Sequence, residues 1–240
     1  MQNGIHLGLI IDGNRRWAKL HNADTATGYK AGLDKLVEAV NALSGKGVKC
    51  ISVYAFSTEN EKRPAEEKAQ IMSLVDYFIE NHPSGVKLCF IGDFDFLPKT
   101  LKEKILSYKC ADNSYKLQMN IMLGYGARHD MVTAAKKLNN QARELFENEM
   151  ANGQSYDRAL KLSEEIFTED NFLNNLSTSN LPPLDLIIRY GKANRLSNFM
   201  LYEAAYSEIY FVDKLWPDAS ALEIAEIVDG FKLVNRTYGG

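Results

Sequence analysis

Short apolar runs alternate along the chain with segments in which apolar residues recur every three or four positions. The runs are rich in β-branched and aromatic residues, and they predict strands at residues 6–11, 50–56, 86–91, 117–123, 184–188 and 208–211. The helical spacing predicts helices at residues 29–46, 64–80, 98–109, 129–150, 160–166 and 219–234. This alternation is typical of a mostly parallel sheet with helices on its faces, so we expect an α/β fold with one six-stranded sheet.

The whole chain, residues 1–240, is predicted to form one domain. Its 240 residues are enough for one large α/β core. Residues 153–180 are polar and rich in asparagine, which makes them the part of the chain that resembles a linker. We interpret them as a surface excursion within the single domain.

The first predicted strand ends abruptly in a polar loop. Within residues 7–19 the apolar run gives way to Asp12, a glycine and an asparagine, and then to Arg15 and Arg16. Open α/β sheets bind ligands where their strands end, so Asp12 can hold a divalent cation there. The backbone amides and guanidinium groups that follow can hold phosphate oxygens. A turn and a solvated helix start, capped by Asp12, explain the same residues without a ligand.

Several other predicted strands also end in polar loops. Parallel strands end at one edge of their sheet, so these loops should meet in one cleft. The arginines that we expect in it are Arg15, Arg16, Arg63, Arg189 and Arg195. Clustered guanidinium groups with two carboxylates, Asp12 and Glu208, suit a polyphosphate bridged by magnesium. The alternative is that the arginines form ordinary surface ion pairs, which are common and weak.

Composition narrows the class of protein. A net charge of −3 argues against a nucleic-acid partner held by bulk charge, and 45% hydrophobic with 25% charged residues is typical of globular proteins. Cys50, Cys89 and Cys110 are widely spaced, which favours reduced thiols in a cytoplasmic protein. We see no signal-like N-terminus and no apolar segment long enough to span a bilayer.

The polar loops carry motifs that resemble the cis-prenyltransferase family, to which undecaprenyl diphosphate synthase belongs. The similar motifs are DGNRRWAK at 12–19, YAFSTEN at 54–60 with Arg63-Pro64, DLIIR at 185–189, RLSNF at 195–199, AYSEIYF at 205–211 and LWPD at 215–218. Residues 236–240 are also similar to the usual end of the family. The resemblance covers nearly the full chain, and it implies the fold of that family with an apolar tunnel beside the helix after Pro64.

The resemblance implies addition of isopentenyl diphosphate to an allylic diphosphate, with a cis double bond formed each time. It implies that Asp12 binds Mg2+, with Glu208 contributing from the partner side of the site, and that Asn60, near Ser57, assists proton removal. The implied substrate-binding residues are Gly13, Asn14, Arg15, Arg16, Trp17, Arg63, Arg189, Arg195 and Ser197. A homodimer is implied as well, with transient contact to a membrane surface only through a lipid-like product.

The chain also departs from the family pattern. Thr25 and Tyr29 stand where the family has an arginine and a histidine, and Glu61 replaces a tryptophan. Tyr190 replaces a small hydroxyl residue, and residues 192–194 replace a Gly-Gly-Glu-His stretch, with Asn194 before the next arginine. These changes leave open the primer and the product length, from short or medium chains to polyprenyl diphosphates.

Two alternative functions follow from the same residues. The tract 28–38 is similar to the lavandulyl-type synthases, which join two allylic diphosphates head-to-middle. A catalytically silent partner subunit is the other alternative. It is disfavoured because the chain retains Asp12, Arg189, Arg195 and Glu208.

Overall fold

A computed structural model describes residues 4–109 and 115–234. Cys110 and residues 236–240, which carry two of the sequence-based interpretations above, lie outside these ranges. The described residues divide into two compact units, one of residues 4–125 with 182–234 and one of residues 126–181. The interpretation of residues 1–240 as a single domain stays a prediction.

The first unit is built on a six-stranded sheet. Its strands are β1 (Ile5–Ile10), β2 (Val48–Ser57), β3 (Val86–Ile91), β4 (Leu117–Tyr125), β5 (Leu186–Arg189) and β6 (Glu208–Phe211). They lie in the order β3-β4-β2-β1-β5-β6, and every neighbouring pair is parallel. The predicted α/β fold with a six-stranded sheet is therefore confirmed, and the sheet is fully parallel.

The described residues form eight α-helices. They are α1 (Asn14–Leu20), α2 (Thr25–Ala42), α3 (Ala65–Asn81), α4 (Lys99–Ser107), α5 (Ala127–Ala151), α6 (Tyr156–Glu165), α7 (Glu169–Asn175) and α8 (Ala221–Phe231). Of these, α5, α6 and α7 belong to the second unit. Three short 3-10 helices follow strands or loops, at Thr58–Lys62, Glu203–Tyr206 and Trp216–Asp218. Helix α2 begins four residues before its predicted start because the Asp24 carboxylate caps it, accepting a hydrogen bond from Thr27 N at 2.7 Å.

The main apolar cluster of the first unit lies on one face of the sheet, and residues on the other face are buried as well. Successive side chains of a strand point to opposite faces, so alternate residues of β1 and β2, such as Leu9 and Ile51, belong to this cluster. Helices α2, α3 and α8 pack against it. The apolar surface of α3, including Ile71, Met72 and Phe78, is buried in this core. The apolar excess of this helix is thus ordinary core packing, and a tunnel beside it stays a proposal.

The second unit is helical. The polar stretch 153–180, predicted as an excursion with one helical patch, instead forms two helices, α6 and α7, with side-chain caps from Ser155 and Thr168. Within this unit the buried Asp130 carboxylate accepts hydrogen bonds from Ser177 N at 3.0 Å and Ser177 Oγ at 2.8 Å. In the parts of both units that are described, no helix has the length and apolar character that crossing a membrane requires.

Candidate active site

Asp12 lies two residues beyond the end of β1, at the carboxyl edge of the sheet. Ile10, the last residue of β1, is aligned with Arg189, the last residue of β5. This register brings the two side chains together, with Arg189 Nη2 3.1 Å from Asp12 Oδ2. The same oxygen lies 3.1 Å from Arg16 Nη2, one turn into α1. One carboxylate oxygen therefore balances two guanidinium groups, and its side chain is still 39% exposed.

The Arg189 side chain is almost fully buried, with 3% of its surface exposed. Its Nη1 donates hydrogen bonds to the backbone oxygen of Arg195 and to Ser197 Oγ, the latter at 2.7 Å. Its Nε is buried without a hydrogen-bond partner among the described residues. Burial lowers the pKa of this guanidinium, and the Asp12 carboxylate opposes the shift. The structure thus joins Asp12, Arg16, Arg189 and Ser197, whereas only the backbone of the exposed Arg195 takes part.

Two glycines allow close approaches of the chain around Asp12, Gly191 to Asp12 itself and Gly13 to Leu215. Gly191 has φ +102°, and a Cβ atom there would lie 2.7 Å from Asp12 Cβ and 2.8 Å from Asp12 Oδ2. Gly13, just before α1, has φ +118°, and its Cβ would lie 3.0 Å from Leu215 Cα. Both conformations favour glycine, and a Cβ would overlap Asp12 at Gly191 and crowd Leu215 at Gly13.

Helix α1 is fixed by contacts on two sides. Trp17 Nε1 donates a hydrogen bond of 2.6 Å to Asp218 Oδ1, and the indole stacks on His21. Asn14 packs against α2. A Cβ atom on Gly28 would lie 2.4 Å from the backbone oxygen of Asn14, and one on Gly32 would lie 2.3 Å from Asn14 Oδ1. Asn14 Oδ1 is buried and has no hydrogen-bond partner in the described parts of the chain. In this structure Trp17 anchors the helix, and its role in substrate binding stays a prediction.

A second cluster, which we call the Glu67 cluster, consists of Arg15, Tyr29, Arg63 and Glu67. Tyr29 donates a hydrogen bond of 2.6 Å to Glu67 Oε1, and Arg63 Nη1 donates one of 2.7 Å to the Tyr29 hydroxyl. Glu67 Oε1 also lies 3.2 Å from Arg63 Nη1 and 3.7 Å from Arg15 Nε. Burial and the Glu67 hydrogen bond raise the pKa of Tyr29. The sequence reasoning missed Glu67, although its position four residues after Arg63 was a usable signal.

The predicted pair of Ser57 and Asn60 lies at the end of β2. Ser57 N donates a hydrogen bond of 3.2 Å to Asn60 Oδ1, and the Ser57 side chain accepts one in return from the 3-10 helix. Beside them, Asn198 Nδ2 donates to Glu59 Oε1 at 2.9 Å. The structure therefore brings Ser57 and Asn60 together and links their loop to the Ser197 loop.

Glu208 lies elsewhere in the same chain. It is the first residue of β6, aligned with Leu186 at the start of β5, while Arg189 is aligned with Phe211. Three residues of strand separate the two ends by about 10 Å. The structure does not bring Glu208 to Asp12 within one chain, because a strand that begins at Glu208 places it at the amino edge. Residues 4–109 and 115–234 hold no group of three or more His, Cys, Asp or Glu side chains suited to a metal ion.

A family model described as "Putative undecaprenyl diphosphate synthase" matches residues 10–239. The chain belongs to this family of cis-prenyltransferases. An isoprenyl transferase of Streptococcus agalactiae serotype III is 38% identical over 98% of this chain and 92% of its own length. A ditrans,polycis-undecaprenyl-diphosphate synthase of Photorhabdus laumondii, described as (2E,6E)-farnesyl-diphosphate specific, is 32% identical over 98% of this chain and 89% of its own.

Solved structures share the fold of this cis-prenyltransferase. One from Campylobacter jejuni, described as a probable undecaprenyl diphosphate synthase, has a TM-score of 0.71 and 28% identity, and each chain is covered in full (100%). Lavandulyl diphosphate synthase from Lavandula x intermedia, solved with dimethylallyl diphosphate, has a TM-score of 0.79 and covers 99% of both chains. Its identity of 24% shows a shared fold alone.

The residues that depart from the family pattern occupy different surroundings in this cis-prenyltransferase. Tyr29 belongs to the Glu67 cluster, Thr25 begins α2, and Glu61 and Asn194 are exposed. The Tyr190 side chain is fully buried beside Trp216, and its hydroxyl donates a hydrogen bond of 3.1 Å to Glu223 Oε2. Tyr29 is therefore the departure that touches the predicted phosphate-binding arginines.

Proposed function

We propose that this cis-prenyltransferase condenses isopentenyl diphosphate with an allylic diphosphate to give a cis prenyl diphosphate. The observation that carries the proposal is the placement of Asp12 between Arg16 and Arg189 at the carboxyl edge of a parallel sheet. Anionic ligands of open α/β sheets bind at that edge, and guanidinium groups suit diphosphate geometry. The names of the family and of its relatives agree with this reaction.

The two groups of arginines suggest two diphosphate subsites. The allylic diphosphate would be held by the first group, which is Arg15, Arg16 and Arg63 with the amides of Gly13 and Asn14. Isopentenyl diphosphate would be held by the second group, which is Arg189, Arg195 and Ser197. Breaking the allylic C1–O bond leaves a cation and a diphosphate, and the guanidinium groups would stabilise the charge that develops on the diphosphate.

The new bond would join C4 of isopentenyl diphosphate to allylic C1. A proton is then lost from C2 of the isopentenyl unit, which restores a double bond. Asn60, held beside Ser57 by the Ser57 N hydrogen bond, is our candidate for assisting this proton transfer.

The donor set at Asp12 fits a magnesium ion. Mg2+ in proteins is often held by one or two carboxylates together with substrate phosphates, and Asp12 offers a half-exposed carboxylate beside the proposed diphosphate site. When bound, the ion would neutralise charge on the leaving diphosphate. Glu208 could join such a site only from a partner subunit.

We also propose a homodimer that forms along β6. This strand pairs on one side with β5, and its side chains Ile209 and Phe211 are 36% and 41% exposed. An edge strand with exposed apolar side chains is suited to contact with a second copy. A cytoplasmic location, with transient membrane contact through the product, stays part of this proposal, as does an apolar tunnel that sets product length.

Product analysis tests the function. Purified protein is incubated with Mg2+, isopentenyl diphosphate and allylic primers of increasing length, and products are identified by mass spectrometry. We expect cis-configured diphosphates extended by five-carbon units. A branched product from dimethylallyl diphosphate alone would instead establish head-to-middle condensation. Absence of turnover with every primer, together with binding to an active prenyltransferase, would indicate a silent subunit.

A further inference from the structure

The Glu67 cluster has the phenol of Tyr29 at its centre. The Tyr29 oxygen donates to Glu67 Oε1 at 2.6 Å and accepts from Arg63 Nη1 at 2.7 Å. Arg63 Nη1 lies farther from Glu67 Oε1 itself, at 3.2 Å. A phenol is one of the side chains that can donate and accept at once, so it connects the carboxylate to the guanidinium.

The exposed fraction of the side chains increases across the Glu67 cluster. The Glu67 side chain is 10% exposed, Arg63 is 24% exposed, and Arg15 is 59% exposed. A buried carboxylate is costly unless it is paired and hydrogen-bonded, which keeps the Glu67 end fixed. Desolvation and Glu67 also keep the phenol protonated, because both raise its pKa. The buried end is therefore a rigid anchor, and the more exposed guanidinium groups face outward.

We propose that Tyr29 and Glu67 are positioning residues that hold Arg63 ready for the diphosphate of the allylic substrate. The inference rests on the proposed function. The phenol satisfies Glu67 with a neutral donor and engages Arg63 through a single nitrogen. Without that oxygen, Arg63 would lose its 2.7 Å partner, and its existing 3.2 Å contact with Glu67 would shorten and hold the guanidinium away from a diphosphate.

The first test is Tyr29→Phe, which removes one oxygen and keeps the ring. We expect the KM for the allylic diphosphate to rise about tenfold, the effect of losing one hydrogen bond to a charged group. The KM for isopentenyl diphosphate should stay unchanged, and kcat should change less than about threefold. Tyr190→Phe is the matched control, because it removes another buried phenol that donates to a carboxylate, Glu223, in the same fold. It should leave both KM values as in the wild type.

The second variant, Glu67→Gln, keeps the shape of the side chain and removes its charge. We expect it also to raise the KM for the allylic diphosphate. Because both residues act through Arg63, the double variant should be no worse than the poorer single variant. An additive double variant would overturn the proposal. So would a KM that is unchanged or lower in Tyr29→Phe, or one that rises equally for both substrates.

Calorimetric titration with inorganic diphosphate gives a readout that does not need turnover. The Kd of Tyr29→Phe for this anion should be about tenfold higher than that of the wild type. If the wild type transfers no prenyl group to any acceptor, the proposed function fails, and this titration still decides the positioning role. If the wild type is active and the Kd is the same in both proteins, the positioning role fails alone.

Discussion

At the scale of single residues, the proposed site depends on one carboxylate shared by two guanidinium groups. Asp12 Oδ2 is 3.1 Å from both Arg16 Nη2 and Arg189 Nη2, and the Arg189 guanidinium is buried. The sequence could predict these residues because they lie in polar loops after strands. It could not predict that Arg189 is buried or that it holds Ser197, since both depend on the fold of the loop after β5.

Replacing Asp12 should abolish most activity. Asp12→Ala removes the only carboxylate shared by Arg16 and Arg189 in the described structure, and we expect kcat to fall by about a thousandfold or more. Circular dichroism should show an intact fold, because Arg189 keeps its bonds to the Arg195 and Ser197 loop. Asp34→Ala, which removes an exposed carboxylate paired with Lys30, is the control and should retain wild-type turnover. Nearly intact activity in Asp12→Ala would refute the assignment.

The close approach of Gly191 to Asp12 allows a second test. An alanine there needs an unfavourable positive φ and places Cβ 2.8 Å from Asp12 Oδ2. Gly153→Ala has the same backbone problem, with φ +81°, but open space around the new Cβ. Both variants should lose about 1–2 kcal/mol of stability from the backbone, measured by urea unfolding. Only Gly191→Ala should also lose turnover; equal kinetics in the two variants would show that the contact with Asp12 is unimportant.

At the scale of elements, bounds were easiest to predict where periodicity alone determines them. The bounds of β3 and β6 agree with the predicted strands. Helix α2 begins four residues before its predicted start because Asp24 caps it, and this cap is a local signal that the sequence contains. Glu67 was harder to find. The first turn of α3 looks polar in the sequence, and the burial of Glu67 depends on tertiary contacts, among them the hydrogen bond from Tyr29 of α2.

Helices α1 and α2 pack closely together where Gly32 of α2 faces Asn14 of α1. A Cβ on Gly32 would lie 2.3 Å from Asn14 Oδ1, so Gly32→Ala should overpack the contact and cost about 1–3 kcal/mol. Because Asn14 belongs to the proposed phosphate loop, the KM for the allylic diphosphate should rise as well. Gly230→Ala in α8 has nothing within 4 Å of the new Cβ and should be neutral or stabilising by up to about 1 kcal/mol. Thermal unfolding and kinetics of both variants check this contrast.

At the scale of the whole molecule, a buried histidine in a central strand, His6, should make the stability of the fold depend on pH. His6 is 0% exposed. Its Nδ1 lies 2.8 Å from the Pro182 carbonyl oxygen, which can only accept, so Nδ1 carries the proton. Its Nε2 then accepts from Ser52 Oγ at 2.8 Å. Burial lowers the pKa of His6, so the folded protein binds a proton at this ring less readily than the unfolded chain does.

The stability of the protein should therefore decrease as the pH falls below about 6.5, the ordinary pKa of an unfolded histidine. In that range the unfolded chain binds a proton at His6 more readily than the folded chain, so acid favours unfolding. His6→Gln should be less stable at pH 7.5 and should show a weaker dependence between pH 7.5 and 5, measured by urea unfolding at several pH values. An identical slope in the variant would mean that other groups cause the acid sensitivity.

The pairing of β1 with β5 also determines when activity can first arise during protein synthesis. Asp12 and Arg189 are 177 residues apart in the chain. At about 5–20 residues per second, a ribosome needs roughly 10 to 35 seconds to make the second residue after the first. During that time β2 can pair with one side of β1, while the side that receives β5 is open. The carboxylate that we propose for catalysis is thus among the first groups made, and its buried partner Arg189 is made 177 residues later.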